Sequence, residues 1–332
     1  MNAQILGMGH ALPPGILTNQ DLEKLVDTTD QWIVERTGIH QRRIVNEETC
    51  TSDLCFEAAN MALEKAGISG ADLDLIIVAT VTPDMIFPAT ACILQEKLGA
   101  TKAAAFDLEA ACTGFIYGIT VAEKFLLSPE YQYILVIGAE TLSKITDYTD
   151  RNTSILFGDG AGAAVIGKGT SSSGILTTYL GSDGGGADLL KLQAGGSYKP
   201  ATTETVNERL HYIKMNGHEI FRFASRIMGH ICDELLSRCN LDYSDLDLFV
   251  PHQANLRIIQ TAMKRMHISF DKTVINLDQL GNMSSASVPA ALSLAEQEGR
   301  LKAGNLVLLA GFGGGLTYGG AIIRWGRDQH EI

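Results

Sequence analysis

The chain is short of proline, of aromatic residues and of basic charge, and it lacks any long apolar run. Only 8 prolines stand against 34 glycines in 332 residues. That balance points to tight turns and close backbone approaches rather than to disorder. No stretch nears the ~20 consecutive apolar residues of a membrane helix, so neither a membrane span nor a membrane partner is expected. The opening residues MNAQILGMGHALPPG carry no basic n-region and no long apolar h-region, and the expectation is a cytoplasmic protein without a signal peptide. Lys and Arg number 26 against 38 Asp and Glu, a formal charge of −12. A broad nucleic-acid footprint needs a net basic face and is therefore not expected. The 6 cysteines include no CxxC. They make neither a disulfide scaffold nor the usual zinc spacing, and no metal centre is expected.

What is present first is length: 332 residues suit about two domains of ~100–200 residues. An internal repeat gives those domains a form. ADLDLI (71–76) matches SDLDLF (244–249), and ILVIG (134–138) matches VLLAG (307–311), both at an offset of 173. The helical pattern ALEKAGIS (62–69) falls on LLSRCNLD (235–242) at the same offset. Short apolar runs alternate with amphipathic patterns in each copy, as in an α/β fold. The reading is a duplicated α/β domain with halves at 1–170 and 171–332. Residues 169–207 are rich in Gly, Ser and Thr and read as a connection with surface loops.

Four segments could carry chemistry. In LEAACTGFIYG (108–118), Cys112 stands among small residues just before a helical pattern. The positive end of a helix dipole would favour its thiolate. Alone, this segment equally admits a buried small hydrophobe. In VPHQAN (250–255), His252 follows an apolar run and should lie at a strand end, where α/β folds gather functional groups, although a lone histidine is as often structural. In GNMSSASVPAAL (281–292), Asn282 could cap a helix or donate from its amide. Adding 173 to Cys112 gives Ser285 in the same segment, so the two turns should be pseudo-equivalent. In GFGGGLTYGG (311–320), successive glycines after a strand could bring backbone N–H groups to an oxyanion, or simply make a tight turn. Nucleophile, base or donor, amide donor and Gly-rich turn together suit acyl transfer through a thioester. GDGAGA (158–163) precedes an apolar strand pattern, not a helix, and is set aside as a dinucleotide motif. His218-Glu219 does not continue into a zinc motif.

The segments DTTDQWIVERTGIHQRR (27–43), AACTGF (110–115), FGDGAGA (157–163), PHQANLRI (251–258), GNMSSAS (281–287) and GFGGGLTYG (311–319) occur in one order along nearly the whole chain. In this series the sequence resembles the β-ketoacyl-acyl carrier protein synthase III family. The resemblance implies a thiolase fold, five αβαβα layers built from two pseudo-repeated halves, and a homodimer. It implies decarboxylative condensation of an acyl-CoA primer with malonyl-acyl carrier protein at the start of type II fatty acid synthesis, with CoA thioester as substrate and no cofactor. By the same resemblance Cys112 is the nucleophile, His252 and Asn282 bind the malonyl thioester oxygen, and the N–H groups of Cys112 and Gly314 form the oxyanion hole. Thr28, Trp32, Arg36 and Arg151 would meet CoA, and Gly217, Phe221 and Asn255 its pantetheine arm. Phe87 would reach the acyl pocket of a partner subunit, and Phe312 would lie beside the active site.

The implied carrier protein is acidic, so a chain of charge −12 needs a local basic patch. Arg257, Lys264 and Arg265 sit at i, i+7 and i+8 of one helical pattern, with Arg222 as a further member. Three departures stand out: NMSS where the family often has NTSA, Thr113 where alanine is common, and a longer loop near 193–207. They leave the primer open. A degradative thiolase would need a second cysteine near the C-terminal turn, and the last one here is Cys239. A hydroxymethylglutaryl-CoA synthase would need a catalytic glutamate near 80–84, which reads TVTPD. The CoA segment around Trp32 argues against a plant-type polyketide synthase. The remaining alternatives are a specialised synthase III paralogue of natural-product biosynthesis and a non-catalytic condensing-enzyme-like subunit.

Overall fold

A computed structural model describes residues 2–169 and 173–326. The expected boundary at 170/171 lies outside the described residues. The first sheet takes its strands from one side of that gap: β1 (Ala3–Ala11), β2 (Leu75–Ala79), β3 (Ala104–Leu108), β4 (Tyr133–Thr141) and β5 (Asp159–Lys168), in the order β1-β5-β4-β2-β3. The second takes them from the other side: β6 (Gly174–Ser182), β7 (Leu248–Pro251), β8 (Leu306–Gly313) and β9 (Thr317–Arg324), in the order β7-β8-β9-β6. Parallel β2–β4 with antiparallel β4–β5 and β5–β1 is repeated as parallel β7–β8 with antiparallel β8–β9 and β9–β6. The counterpart of β3 is reduced to a single parallel bridge between Phe249 and Thr273.

The central strands read as continuous apolar runs because both their faces are covered. Leu75, Ile77, Ile134 and Val136 face inward with Leu248, Val250, Val307 and Leu309 of the other sheet. Between them lie Phe115 and Ile119 of one helix and Val288, Ala291 and Leu292 of another. The alternate residues Ile76, Val78, Leu135 and Ile137 pack outward under the helix Thr51–Ala66, and Leu308, Ala310 and Ile322 pack under the helix Gly217–Cys239. Numbered in chain order, these and their neighbours are α1 (Thr51–Ala66), α2 (Thr90–Lys97), α3 (Gly114–Phe125), α4 (Gly217–Cys239), α5 (Leu256–Met266) and α6 (Ser287–Gln297). The layers are α1 and α2, first sheet, α3 and α6, second sheet, α4 and α5: the expected thiolase fold.

One expectation on the connection fails. Residues 174–182 are not loop but β6, nine residues paired to β9. β6 is an edge strand whose residues from Leu176 onward are only partly covered, so GILTTYLGS lacks the apolar continuity that marks the inner strands. Residues 159–168, in contrast, form the strand β5 that the sequence suggests.

Candidate active site

α3 and α6 both begin after a one-turn 3-10 segment, Ala111–Thr113 and Ser284–Ala286. The residue that opens each turn is left-handed, Ala111 at φ 43° and Ser284 at φ 45°. These are non-glycine residues in a region that costs about 1 kcal/mol or more, held by the surrounding structure. All these pairs stand 173 apart, so Cys112 and Ser285 are counterparts in space as well as in sequence. Gly114 is required by contact: a β-carbon there would lie 2.8 Å from that of Ala79.

Two cavities meet at Cys112. The narrow one, about 90 Å³, is lined by Cys112, His252, Asn282, Phe312 and Gly313 at its inner end, and by Gly217, Phe221 and Asn255 farther along. The wide one, about 630 Å³, is lined by Cys112, Gly314, Leu142, Ile145, Phe157 and Ile213 among others. The expected catalytic three therefore share one space. Leu142 and Ile213 carry no sequence signal, and Phe157 has one only as the first residue of FGDGAGA; the three come from distant segments that only folding assembles.

His252 directly follows β7, as expected, and its N–H donates to Ala310 O at 2.8 Å. The ring is buried and meets Phe312 edge-on, with centroids 5.5 Å apart. Burial lowers its pKa from 6.5 to about 3, so the imidazole is neutral. Its Nδ1 has no hydrogen-bond partner among the described residues. Asn282 is fixed at its backbone by Leu156 O and Gly158 N, at 2.9 and 3.0 Å. Its Oδ1 accepts from Ser284 N at 2.9 Å, which turns the NH2 end of the amide away from the turn.

Cys112 departs from expectation. Burial pushes its thiol pKa up to about 12; the Ser284 hydroxyl partly opposes this, while the Glu140 charge adds to it. The position at the start of α3 does not offset burial, and the resting group is the thiol. Gly313 passes so near that a β-carbon there would sit 2.6 Å from Cys112 N. The hydroxyls of Thr113 and Thr317 meet at 2.7 Å, and both lie within 2.9 Å of Ala110 O. Thr317 Oγ1 also reaches Gly314 O at 3.0 Å. Thr113, where alanine is common, thus joins the nucleophile turn to the Gly-rich turn.

Two guanidinium groups lie over the Trp32 ring, Arg151 at 4.8 Å and Arg36 at 5.6 Å from its centroid. Its helix, Asp30–Thr37, is capped by Thr29 and ends at Gly38 with φ 80°. Asn255 Nδ2 donates to Arg36 O and its Oδ1 caps α5 at Arg257 N. These two bonds orient the amide at the wall of the narrow cavity and leave its second N–H free among the described residues. Thr28 Oγ1 is buried without a partner among the described residues. Phe87 is 84% exposed on the loop between β2 and α2, beside Ile86 at 83%, far from filling a pocket of its own subunit.

The basic patch is smaller than the spacing suggests. Arg265 turns toward α4, pairs with Asp233 at 2.7 Å and packs over Gly229. Arg222 is paired with Glu219. Arg257, stacked on Phe221 at 5.4 Å, and Lys264 keep charges without an ion pair among the described residues.

Sequence reasoning also missed Glu140. No carboxylate near 80–84 suits catalysis in the sequence, yet β4 delivers the fully buried Glu140 carboxylate to Thr80–Thr82. Among the described residues no cluster of His, Cys, Asp and Glu suits a metal ion, and no helix is long and apolar enough to cross a membrane.

The family model described as 3-oxoacyl-[acyl-carrier-protein (ACP)] synthase III matches residues 106–184, and that of its C-terminal part matches residues 236–325. The chain is 62% identical over 329 residues to the beta-ketoacyl-[acyl-carrier-protein] synthase III of Syntrophomonas wolfei, covering 99% of each. It superposes on the crystal structure of 3-oxoacyl-[acyl-carrier-protein] synthase III from Aquifex aeolicus with a TM-score of 0.90 and 43% identity, over 97% of this chain and 100% of that one. The corresponding Thermus thermophilus structure gives 0.91 and 41%, over 98% and 100%.

Proposed function

The chain belongs to the 3-oxoacyl-[acyl-carrier-protein] synthase III family, and from that premise we propose how its residues divide the reaction. It is an acyltransferase that condenses an acyl-CoA primer with malonyl-acyl carrier protein, giving 3-ketoacyl-carrier protein, CoA and CO2, and so initiates type II fatty acid synthesis. One observation carries the assignment of roles. Cys112 lies where the two cavities meet, while His252 and Asn282 line only the narrow one.

In the first step the Cys112 sulfur attacks the primer thioester, its proton leaving with the CoA thiol. Because the resting thiol is buried and neutral, attack waits until the thioester is in place to receive that proton. The oxyanion is held by the N–H groups of Cys112 and Gly314, brought together by the Gly313 approach and the Thr113–Thr317 pair. The primer chain enters the wide, apolar cavity and CoA leaves through the narrow one. The carrier's malonyl arm then takes the narrow cavity. Loss of CO2 leaves an enolate, whose oxygen receives hydrogen bonds from the neutral His252 ring and the Asn282 NH2. A neutral histidine donates here without first having to bind a proton, and burial strengthens each bond. The enolate carbon attacks the acyl-cysteine, the C–S bond breaks, and the sulfur departs as thiolate and takes up one proton from solvent to become the thiol again. Each developing charge falls on a group with donors supplied by the chain, so the reading uses no resident cofactor.

Around this centre, Trp32 with Arg36 and Arg151 takes the adenine and phosphate end of CoA, with Thr28 beside them. Gly217 and Phe221 leave room for pantetheine. Arg257 and Lys264 attract the acidic carrier. Phe87 and its apolar neighbours Met85 and Ile86 pack against a second copy in a homodimer, and the protein works in the cytoplasm with its substrates.

Intact mass measures the first step directly. Incubation with acyl-CoA should add one acyl group to the wild-type chain and none to Cys112→Ala. The same gain in both overturns the assignment. A panel of primers then reads the capacity of the wide cavity.

A further inference from the structure

The 173-residue offset that pairs Cys112 with Ser285 also pairs the strand ends, Gly313 of β8 with Glu140 of β4. At the first turn the glycine lets β8 lie against the Cys112 amide, where a β-carbon would stand 2.6 Å from Cys112 N. At the second the matching position carries a side chain that turns onto the Ser285 amide and hydroxyl. Glu140 Oε1 accepts from Ser285 Oγ at 2.8 Å and lies 3.4 Å from Ser285 N. Its Oε2 accepts from Thr82 Oγ1 at 2.7 Å and Val81 N at 3.2 Å, with Thr80 Oγ1 at 3.3 Å. Five donors converge on one carboxylate, the residue is wholly buried, and no cation pairs with it among the described residues.

We propose that Glu140 is a positioning residue: a buried carboxylate, at the counterpart of Gly313, that locks the Asn282–Ser285 turn in place. The path is short. Glu140 anchors Ser285, Ser284 N holds the Asn282 carbonyl oxygen, and the Ser284 hydroxyl reaches the Cys112 thiol. Through Ser285 the carboxylate thereby aims the Asn282 amide. An acceptor-only group suits the site, because Val81 N and Ser285 N offer only a proton and Thr82 Oγ1 already accepts from Thr141 N. A glutamine would set its NH2 against donors and leave at least one of them unpaired.

The inference rests on the proposed reaction, and its test separates the two. At pH 8, Glu140→Gln should lower the rate of malonyl decarboxylation at least ~10-fold with KM unchanged, the signature of a group acting only in the transition state. Acyl transfer to Cys112 should stay within about 2-fold of wild type, and Glu140→Asp, still acceptor-only, should recover most of the decarboxylation. Ser285→Ala, which removes one contact, should give a smaller loss in the same step and serves if Glu140→Gln does not fold. Wild-type decarboxylation in Glu140→Gln or Ser285→Ala, or an equal loss of both steps in the Gln and Asp variants, overturns the proposal. Wild-type protein that neither takes up an acyl group nor releases CO2 would overturn the reaction instead. A substrate-free readout remains in that case. Glu140 and Glu109 are the carboxylates whose charge opposes ionisation of Cys112, across from the neutral His252, and Cys55 also faces Glu140. The pH profile of iodoacetamide alkylation at Cys112 should move down in Glu140→Gln. An unmoved profile counts against the anion.

Discussion

Gly313 stands so close to Cys112 that no side chain fits between them: a β-carbon would lie 2.6 Å from the Cys112 amide nitrogen and 3.1 Å from its β-carbon. The obstruction is backbone, so it cannot rotate away. Gly313→Ala should therefore displace one of the two donors to the oxyanion. The expected loss in the rate of Cys112 acylation is ~10²-fold, about that of deleting one such donor. Stopped-flow release of CoA measures it, with circular dichroism to confirm a folded chain. A rate within a few-fold of wild type would detach Gly313 from the reaction.

His252 and Asn282 line only the narrow cavity, which makes them separable from the first step. His252→Ala and Asn282→Ala should each cut malonyl decarboxylation by ~10²–10³-fold. Each should still accept an acyl group on Cys112, read by intact mass. If either variant loses acylation in the same proportion, its role lies in the shared core of the site instead.

Acid should destabilise the fold through His252. Its pKa is near 3 in the native chain against 6.5 unfolded. Between these values the unfolded chain holds a proton that the native one does not. Stability is thus full above pH 6.5 and falls with pH toward 3, by at most about 1.4 kcal/mol per unit. Glu140 acts in the opposite sense. Raised from 4.5 to about 7 by burial, it binds a proton in the native chain first and favours the fold as pH drops through 7. A difference isolates the histidine: the stability gap between wild type and His252→Gln should shrink by about 1 kcal/mol between pH 7.5 and 5.5 in urea melts. A gap independent of pH would mean that His252 ionises normally.

Arg257 and Lys264 carry the unpaired charge of the proposed docking face, whereas Arg265 is tied to Asp233. Arg257→Glu with Lys264→Glu should raise KM for malonyl-carrier protein about 10-fold or more, with the effect fading as salt is added. Acylation by acyl-CoA should be spared. Arg265→Glu should do less, since its charge is already compensated. Equal effects of all three would put Arg265 back in the patch.

Arg36 and Arg151 lie over the Trp32 ring. Trp32→Ala should raise KM for acyl-CoA about 10-fold at unchanged kcat, because stacking far from the reacting carbon contributes equally to ground and transition states. Isothermal titration with CoA checks the binding half of that statement. Unaltered CoA affinity would remove Trp32 from the site.

Much of this was legible before folding, and the reason is local. His252 and the Gly313–Gly315 turn each follow a short apolar run that becomes a strand, and Cys112 precedes a helical pattern, so their places follow from neighbours in sequence. The 173 offset carries that reading across the two halves down to the left-handed Ala111 and Ser284. What stayed hidden depends on residues that meet only in space. Leu142, Phe157 and Ile213 share a cavity without sharing a pattern. Arg265 looks free until Asp233, 32 positions earlier, reaches it. Cys112 looks activated from its helix start, and its burial, with the charges of Glu140 and Glu109, reverses that. β6 escaped because an edge strand with one covered face does not announce itself by apolar continuity.

The junction at Cys112 has a consequence for how such an enzyme can diversify. In the proposed reaction one room stores the primer and the other handles the extender, and only Cys112, Phe157 and Leu190 belong to both walls. Changes at Leu142, Ile145 or Ile213 can resize the store while leaving the decarboxylation machinery untouched. Selection can thus retune what the chain accepts as its first building block as an independent trait, and only the three shared positions oblige it to alter both at once.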